Sequence, residues 1–194
     1  HSTHGQGELV CKKPFPSMPI GFWHDEKAQK YQEAYFQKFP NVWAHGDYAE
    51  LTAHGGLIIY GRSDATLNPQ GVRFGTAELY QVVLQVPGIR DCIAVSQDWQ
   101  NDTRVILFVQ LDEKTDWTPD LQKLLASQIR QQLSPRHVPA KILPVRGIPK
   151  TMNGKVMETA VKKLIHGKTL DNIAVIVNPE CLEDYMHREE LSLD

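Results

Sequence analysis

The chain has 194 residues, 41% of them apolar and 23% charged, with a formal net charge of −2. This balance fits a globular fold rather than a disordered chain. No apolar run approaches the ~18 residues of a membrane helix and no signal-peptide pattern opens the sequence, so no membrane partner is expected.

The length allows one domain or a pair of small ones. Three cysteines, Cys11, Cys92 and Cys181, stand far apart without a Cys-x-x-Cys pair. That arrangement supports neither a zinc site nor a disulfide framework, and a cytoplasmic setting is the expectation. The sequence opens on His1-Ser2-Thr3-His4, and the expectation is a fragment of a longer polypeptide.

Residues 8–12, ELVCK, predict a strand leading into a Pro-rich loop, and residues 25–37 a surface helix capped by Asp25. VWAHGDYAEL and LIIYGR predict a hairpin joined at TAHGG, where glycine makes positive φ cheap. This first stretch closes no core by itself.

SDATLNPQG, after Arg62, has linker chemistry. A helix is predicted over 76–86, a strand over 88–96 and an apolar strand, TRVILFVQL, over 103–111. Thr118 as N-cap with Pro119 behind it starts a helix whose stripe carries Leu121, Leu125, Ile129 and Leu133. AKILPV predicts a short strand, and residues 155–165 a last helix. Helix, strand, strand, helix, strand, helix describes a small α+β domain of roughly 100 residues. Residues 169–194 have weak periodicity and are expected to dock elsewhere or stay mobile.

Charge is uneven along the chain. Leu121 to Lys168 holds ten Lys or Arg and one acid, Glu158, whereas the stretch from Thr169 onward holds seven acids and one base, Arg188. A basic block of this kind is either a solvated face or a site for polyanions such as nucleotides or nucleic acid.

IPKTMNGKV places Lys155 after an Asn-Gly turn. A phosphate loop needs four residues between its glycines and Ser or Thr after the lysine. Gly147 and Gly154 have six residues between them and Val156 follows Lys155, so that pattern is absent. A lysine held in place is a compact charge suited to anions. Asp47, in WAHGD, is either a turn aspartate or a carboxylate accepting ribose hydroxyls. Arg62, Asp64, Gly71 and Arg73 crowd one loop-rich span, and paired arginines can grip phosphates in a forked geometry.

Taken in order, WAHGD, GRSDATLNPQGVRFGTAEL and IPKTMNGKV resemble the C-terminal part of adenylate-forming acyl-CoA synthetases, over nearly all of residues 1–165. YFQKFPNVWAHGDYAE, LSPRHVPAKI and NPECLEDY resemble the acetoacetate-activating branch. The resemblance implies an AMP-forming ligase that converts acetoacetate, or a similar short acid, to acyl-AMP with ATP and passes it to CoA, with magnesium accompanying the nucleotide and no protein ligand for it identifiable here. It implies Asp47 as the ribose-binding aspartate, Arg62 and Arg73 as nucleotide contacts, and Asp64 as the hinge of a swinging lid. Gly71 would lie beside the pantetheine tunnel, and Lys155 would be the adenylation lysine. Arg136, in the basic block, is a candidate for CoA phosphates from its charge alone. His45 departs from the threonine the family often has before its Gly-Asp pair.

The implied organisation is 1–63 as the end of a large nucleotide-binding domain, 64–168 as the mobile lid and 169–194 as an acidic tail. The phosphate loop and acyl pocket of that family do not occur here, so this stretch alone is expected to be inactive and to work with a large N-terminal domain. The alternatives are an acetyl- or propionyl-CoA synthetase, another adenylation enzyme, or an RNA-binding α+β module. An RNA-binding sheet needs exposed aromatics, and TRVILFVQL offers only Phe108, so no nucleic-acid partner is expected.

Overall fold

The computed structural model describes residues 5–63, 66–69, 74–170 and 173–193. The chain divides into two compact units, His1–Asp64 and Ala65–Asp194.

The first unit is an antiparallel sheet of β1 (Gly5–Cys11), β2 (Trp43–Leu51) and β3 (Leu57–Arg62), in that order. The hairpin predicted at TAHGG is present, closed by Thr52, whose hydroxyl accepts the Gly56 N–H at 2.9 Å. The first strand starts earlier than its apolar residues suggest, because its polar opening half also pairs, Gly5 to Glu8 against Leu51 to Tyr48.

Helix α1 (Gln29–Tyr35) is shorter than the predicted 25–37. Ala28 before it is left-handed, with φ 53°. Asp25 still serves the helix, accepting the N–H groups of Lys30 and Tyr31 at 3.1 and 2.8 Å from one turn upstream. Among the described residues of this unit only Trp43, Ala44 and Ala49 are buried. Tyr35 stacks on Trp43 with ring centres 3.7 Å apart.

The second unit follows the predicted order: α2 (Thr76–Val83), β4 (Ile89–Trp99), β5 (Asp102–Leu111), α3 (Pro119–Gln132), β6 (Lys141–Val145) and α4 (Glu158–Ile165). β4 and β5 are antiparallel, joined at Gln100-Asn101, where both residues have positive φ, the geometry that matches strand twist in a two-residue turn. β5 and β6 are parallel, which requires the crossover that α3 supplies. Thr118 caps α3 as expected, its hydroxyl accepting the Leu121 N–H at 3.2 Å, with Pro119 at the first helical position.

β5 is the central strand, and its apolar run splits by parity between two cores. Val105, Leu107 and Val109 pack with Leu79 and Val83 of α2 and Leu125 and Ile129 of α3. Ile106 and Phe108 face the opposite way, against Val161 and Leu164 of α4 and Ile176, Leu182, Tyr185 and Leu191 beyond it. Both sheet faces are therefore covered, and Phe108, fully buried, is no stacking platform.

The stretch after residue 169 docks onto its own unit. It lacks helical periodicity because it folds as short 3₁₀ turns, Ile173–Val175, Pro179–Tyr185 and Glu189–Ser192, whose three-residue repeat an α-helical search misses. Arg104, on β5, fastens it: the guanidinium donates to the carbonyls of Leu191 and Leu193 at 2.8 and 2.9 Å and to Gln97 Oε1 at 2.8 Å, and it lies over the Trp99 ring. Among the described residues no helix is long and apolar enough to cross a membrane.

Candidate functional site

In the first unit, β2 and β3 set Asp47 opposite Arg62. A guanidinium nitrogen stands 3.8 Å from Asp47 Oδ1 and also donates to the His45 carbonyl. His45 Nδ1 lies 2.9 Å from Asp47 Oδ2. Gly46 permits this arrangement twice over. Its φ is +78°, and a Cβ there would stand 2.8 Å from the Arg62 guanidinium. Asp47 keeps about a third of its side chain open to solvent. The result is an acceptor pair held beside a cation, suited to hydroxyls next to an anion.

In the second unit Lys155 sits on a three-residue hairpin loop. Thr151 N–H donates to the Lys155 carbonyl at 2.9 Å, and Gly154 N–H to the Thr151 carbonyl at 2.8 Å. Gly154 alone of the loop residues has positive φ, +74°, so Asn153-Gly154 end a turn with a bulge rather than forming a two-residue turn. The Thr151 hydroxyl accepts the Lys155 N–H at 3.2 Å. Lys155 is exposed, and among the described residues its ammonium has no ion-pair partner.

The hairpin's outgoing limb runs into α4, where Glu158 accepts from the Tyr80 hydroxyl at 3.1 Å. Tyr80 in turn accepts the Ala94 N–H at 3.1 Å. Burial, then the Glu158 charge, pushes the Tyr80 phenol well above its ordinary pKa, so it stays a donor.

Arg136 is exposed in the 3₁₀ turn Pro135–His137 before β6, its N–H bonded to Ser134 Oγ. Lys155 follows β6. The five-residue strand Lys141–Val145 lies between them in the chain. Asp64, Gly71 and Arg73 lie outside the described residues. Among the described residues no group of three or more His, Cys, Asp or Glu side chains is arranged to hold a metal.

Residues 78–155 match the model of the AMP-binding enzyme C-terminal domain. That match lies within the second unit. An acetoacetyl-coenzyme A synthetase of Rhizobium meliloti (strain 1021) is 50% identical over 186 residues, covering 96% of this chain and 29% of that protein. The acetoacetyl-CoA synthetase of Mus musculus is 48% identical over 187 residues, 95% of this chain and 28% of that protein. Among solved structures, acetoacetyl-CoA synthetase from Streptomyces lividans aligns with a TM-score of 0.85 at 40% identity, over 96% of this chain and 28% of that one. The anthranilate CoA ligase AuaEII, with a TM-score of 0.66 at 21% identity, shares the fold. The chain thus spans less than a third of the relatives it matches.

Within the second unit, sequence reasoning missed the tail residues that hold the segment before the lysine turn. Thr151 supports it directly. Lys150 pairs with Asp91 at the start of β4. From the docked tail, Asn178 reaches Lys150, and Asp184 and Tyr185 reach Arg146 and Gly147 upstream. Only the resemblance of NPECLEDY marked that last stretch, and no charge or spacing pattern ties it to Lys155.

Proposed function

We propose that this chain is the C-terminal part of an ATP-dependent acid–thiol ligase that activates acetoacetate, or a similar short acid, as its acyl-adenylate and transfers the acyl group to CoA. The observation that carries the reading is Lys155: a charged side chain, exposed and without an ion-pair partner among the described residues, on a turn held by three hydrogen bonds among Thr151, Gly154 and Lys155. A cation so fixed and so unengaged is built for a partner that arrives from elsewhere. Half-identical relatives named acetoacetyl-CoA synthetases support the substrate class.

In the first half-reaction a carboxylate oxygen attacks the α-phosphorus of ATP and pyrophosphate departs. Two anions must approach each other. An ammonium bridging them offsets repulsion of ~1–4 kcal/mol per charge pair at contact and holds the reacting atoms in line. Asp47 would accept the ribose hydroxyls while Arg62, beside it, contacts the nucleotide; Arg73 would reach its phosphates.

In the second half-reaction the CoA thiol attacks the acyl carbon and AMP departs. Withdrawal of the lid about Asp64 would remove Lys155 and bring the Gly71 loop to the pantetheine. Arg136, exposed in the 3₁₀ turn before β6, would meet CoA phosphates in that second orientation. Magnesium would travel with the nucleotide, and no residue of this chain is assigned to it.

The partner domain would be the large N-terminal domain of the same protein. Leu51, Leu57, Ile58 and Ile59 are exposed on a sheet with almost no core, and consecutive apolar residues on one strand point to both faces, which fits burial on both sides. A cytoplasmic enzyme is the expected setting.

The test is Lys155→Ala in the full-length protein. Pyrophosphate release with acetoacetate should slow by ~10²–10³, the range for one lost electrostatic stabiliser. Thioester formation from supplied acyl-adenylate should persist. Equal loss in both half-reactions, or loss in neither, overturns the role. Comparison of acetoacetate with acetate and propionate in the same assay decides the acid.

A further inference from the structure

The docked tail makes a dense set of bonds with the segment that carries the lysine hairpin. Val177 N–H donates to the Lys150 carbonyl at 2.9 Å, and Ile176 pairs with Thr151 in an isolated antiparallel bridge. The Asn178 side chain uses both ends of its amide: Nδ2 donates to the Ile148 carbonyl at 2.9 Å and Oδ1 accepts the Lys150 N–H at 3.2 Å. Asn178 sits where it could cap the following 3₁₀ turn, yet makes no side-chain cap bond there. Its amide serves the hairpin instead.

Upstream, the buried Tyr185 hydroxyl donates to the Gly147 carbonyl at 2.7 Å, and Asp184 accepts from the Arg146 N–H and guanidinium at 2.6 and 2.7 Å. Gly147 is small for a reason: a Cβ there would lie 3.0 Å from the Cys181 Cβ. Backbone groups between 146 and 151 that no strand or helix pairs are thus satisfied by the tail, an obligation that buried backbone cannot escape cheaply.

We propose that residues 176–185 are a positioning strap for Lys155, with Asn178 the positioning residue at its centre. The inference rests on the adenylation role of Lys155. A bridging ammonium works only when its reach is fixed, and a misplacement of about 1 Å can cost up to ~10²-fold in rate. The strap fixes the base of the turn; Thr151 and Gly154 fix its tip.

The experiment is a double-mutant cycle in the full-length protein, following pyrophosphate release, thioester formation from supplied acyl-adenylate, and melting temperature. Asn178→Ala should lower kcat for adenylation roughly tenfold, leave KM for ATP within about twofold and spare the thioester step. Placed on Lys155→Ala, it should add no further loss, because its effect passes through the lysine.

A wild-type adenylation rate in Asn178→Ala, with Lys155→Ala slow, overturns the strap and leaves the function standing. Equal loss in both half-reactions, or the same extra loss on the Lys155→Ala background, also overturns it, since that is what general destabilisation gives. A full-speed Lys155→Ala sinks the function and the strap with it. If Asn178→Ala does not fold, Tyr185→Phe removes a single hydroxyl and is held to the same pattern. Leu191→Ala, buried in the same core but remote from these bonds, is the control: it should lower the melting temperature without changing kcat.

Discussion

The two units use the same element, a three-stranded sheet, in opposite ways. In the second, every residue of β5 from Val105 to Val109 is buried and both faces are covered. In the first, Leu57, Ile58 and Ile59 lie about half exposed. Burial of each such side chain is worth about 1.5–3 kcal/mol; the second unit collects that from its own residues and the first does not. An apolar strand in sequence therefore states a requirement for cover, and says nothing of which segment provides it.

Cavity formation should separate the units most sharply. Tyr185→Ala removes a fully buried aromatic and its hydrogen bond to Gly147, and denaturant unfolding of the second unit should report a loss of about 3–5 kcal/mol. Ile58→Ala in the same chain should stay within about 0.5 kcal/mol. Comparable losses at the two positions would erase the contrast.

Next in size is Gly147→Ala, where the added methyl meets Cys181 across a packed seam and should cost about 1–3 kcal/mol. Gly154→Ala has open space around it and only its positive φ to strain, so about 1 kcal/mol is expected. A reversal of that order in melting experiments would mean that the tail does not press on Gly147.

The smallest effect is a pH dependence. Desolvation lowers the His137 pKa in the folded chain, opposed by Glu78, whose carboxylate lies 3.8 Å away. Its ordinary value is about 6.5. As the pH falls through that value, the unfolded chain takes up the proton before the folded one. Stability is then full above about 6.5 and is lost as the pH falls toward the folded value. Relative to His137→Gln, the parent chain should lose melting temperature between about pH 7.5 and 5.5. A gap that widens in the parent's favour would reverse the sign.

Most of the second unit was legible because its signals are local. Thr118-Pro119 announces its helix through capping chemistry, and TRVILFVQL announces a buried strand through composition. Lys155 was legible too, as a charge on a turn with no core to serve. Asn153-Gly154 marked the turn but not its type, which depends on which of the two residues takes positive φ. The strap was not legible. Its 3₁₀ turns carry no 3.6-residue rhythm, and its decisive bonds join Asn178 to Ile148 and Tyr185 to Gly147, positions linked by no shared pattern. Asp47 and Arg62 could be named from the sequence; that Gly46 makes room for the Arg62 guanidinium needed coordinates.

The guanidinium clasp at Arg104 carries a consequence for biosynthesis. Arg104 and the carbonyl at Leu191 are separated by 87 positions. At 5–20 residues per second a ribosome takes roughly 4–17 s to make that stretch. Through that interval Ile106 and Phe108 already exist while most of their cover does not, so the nascent sheet presents an oily face that chaperones are suited to shield. The final turns of this unit act as a latch that closes only after translation has moved well beyond the strand it secures.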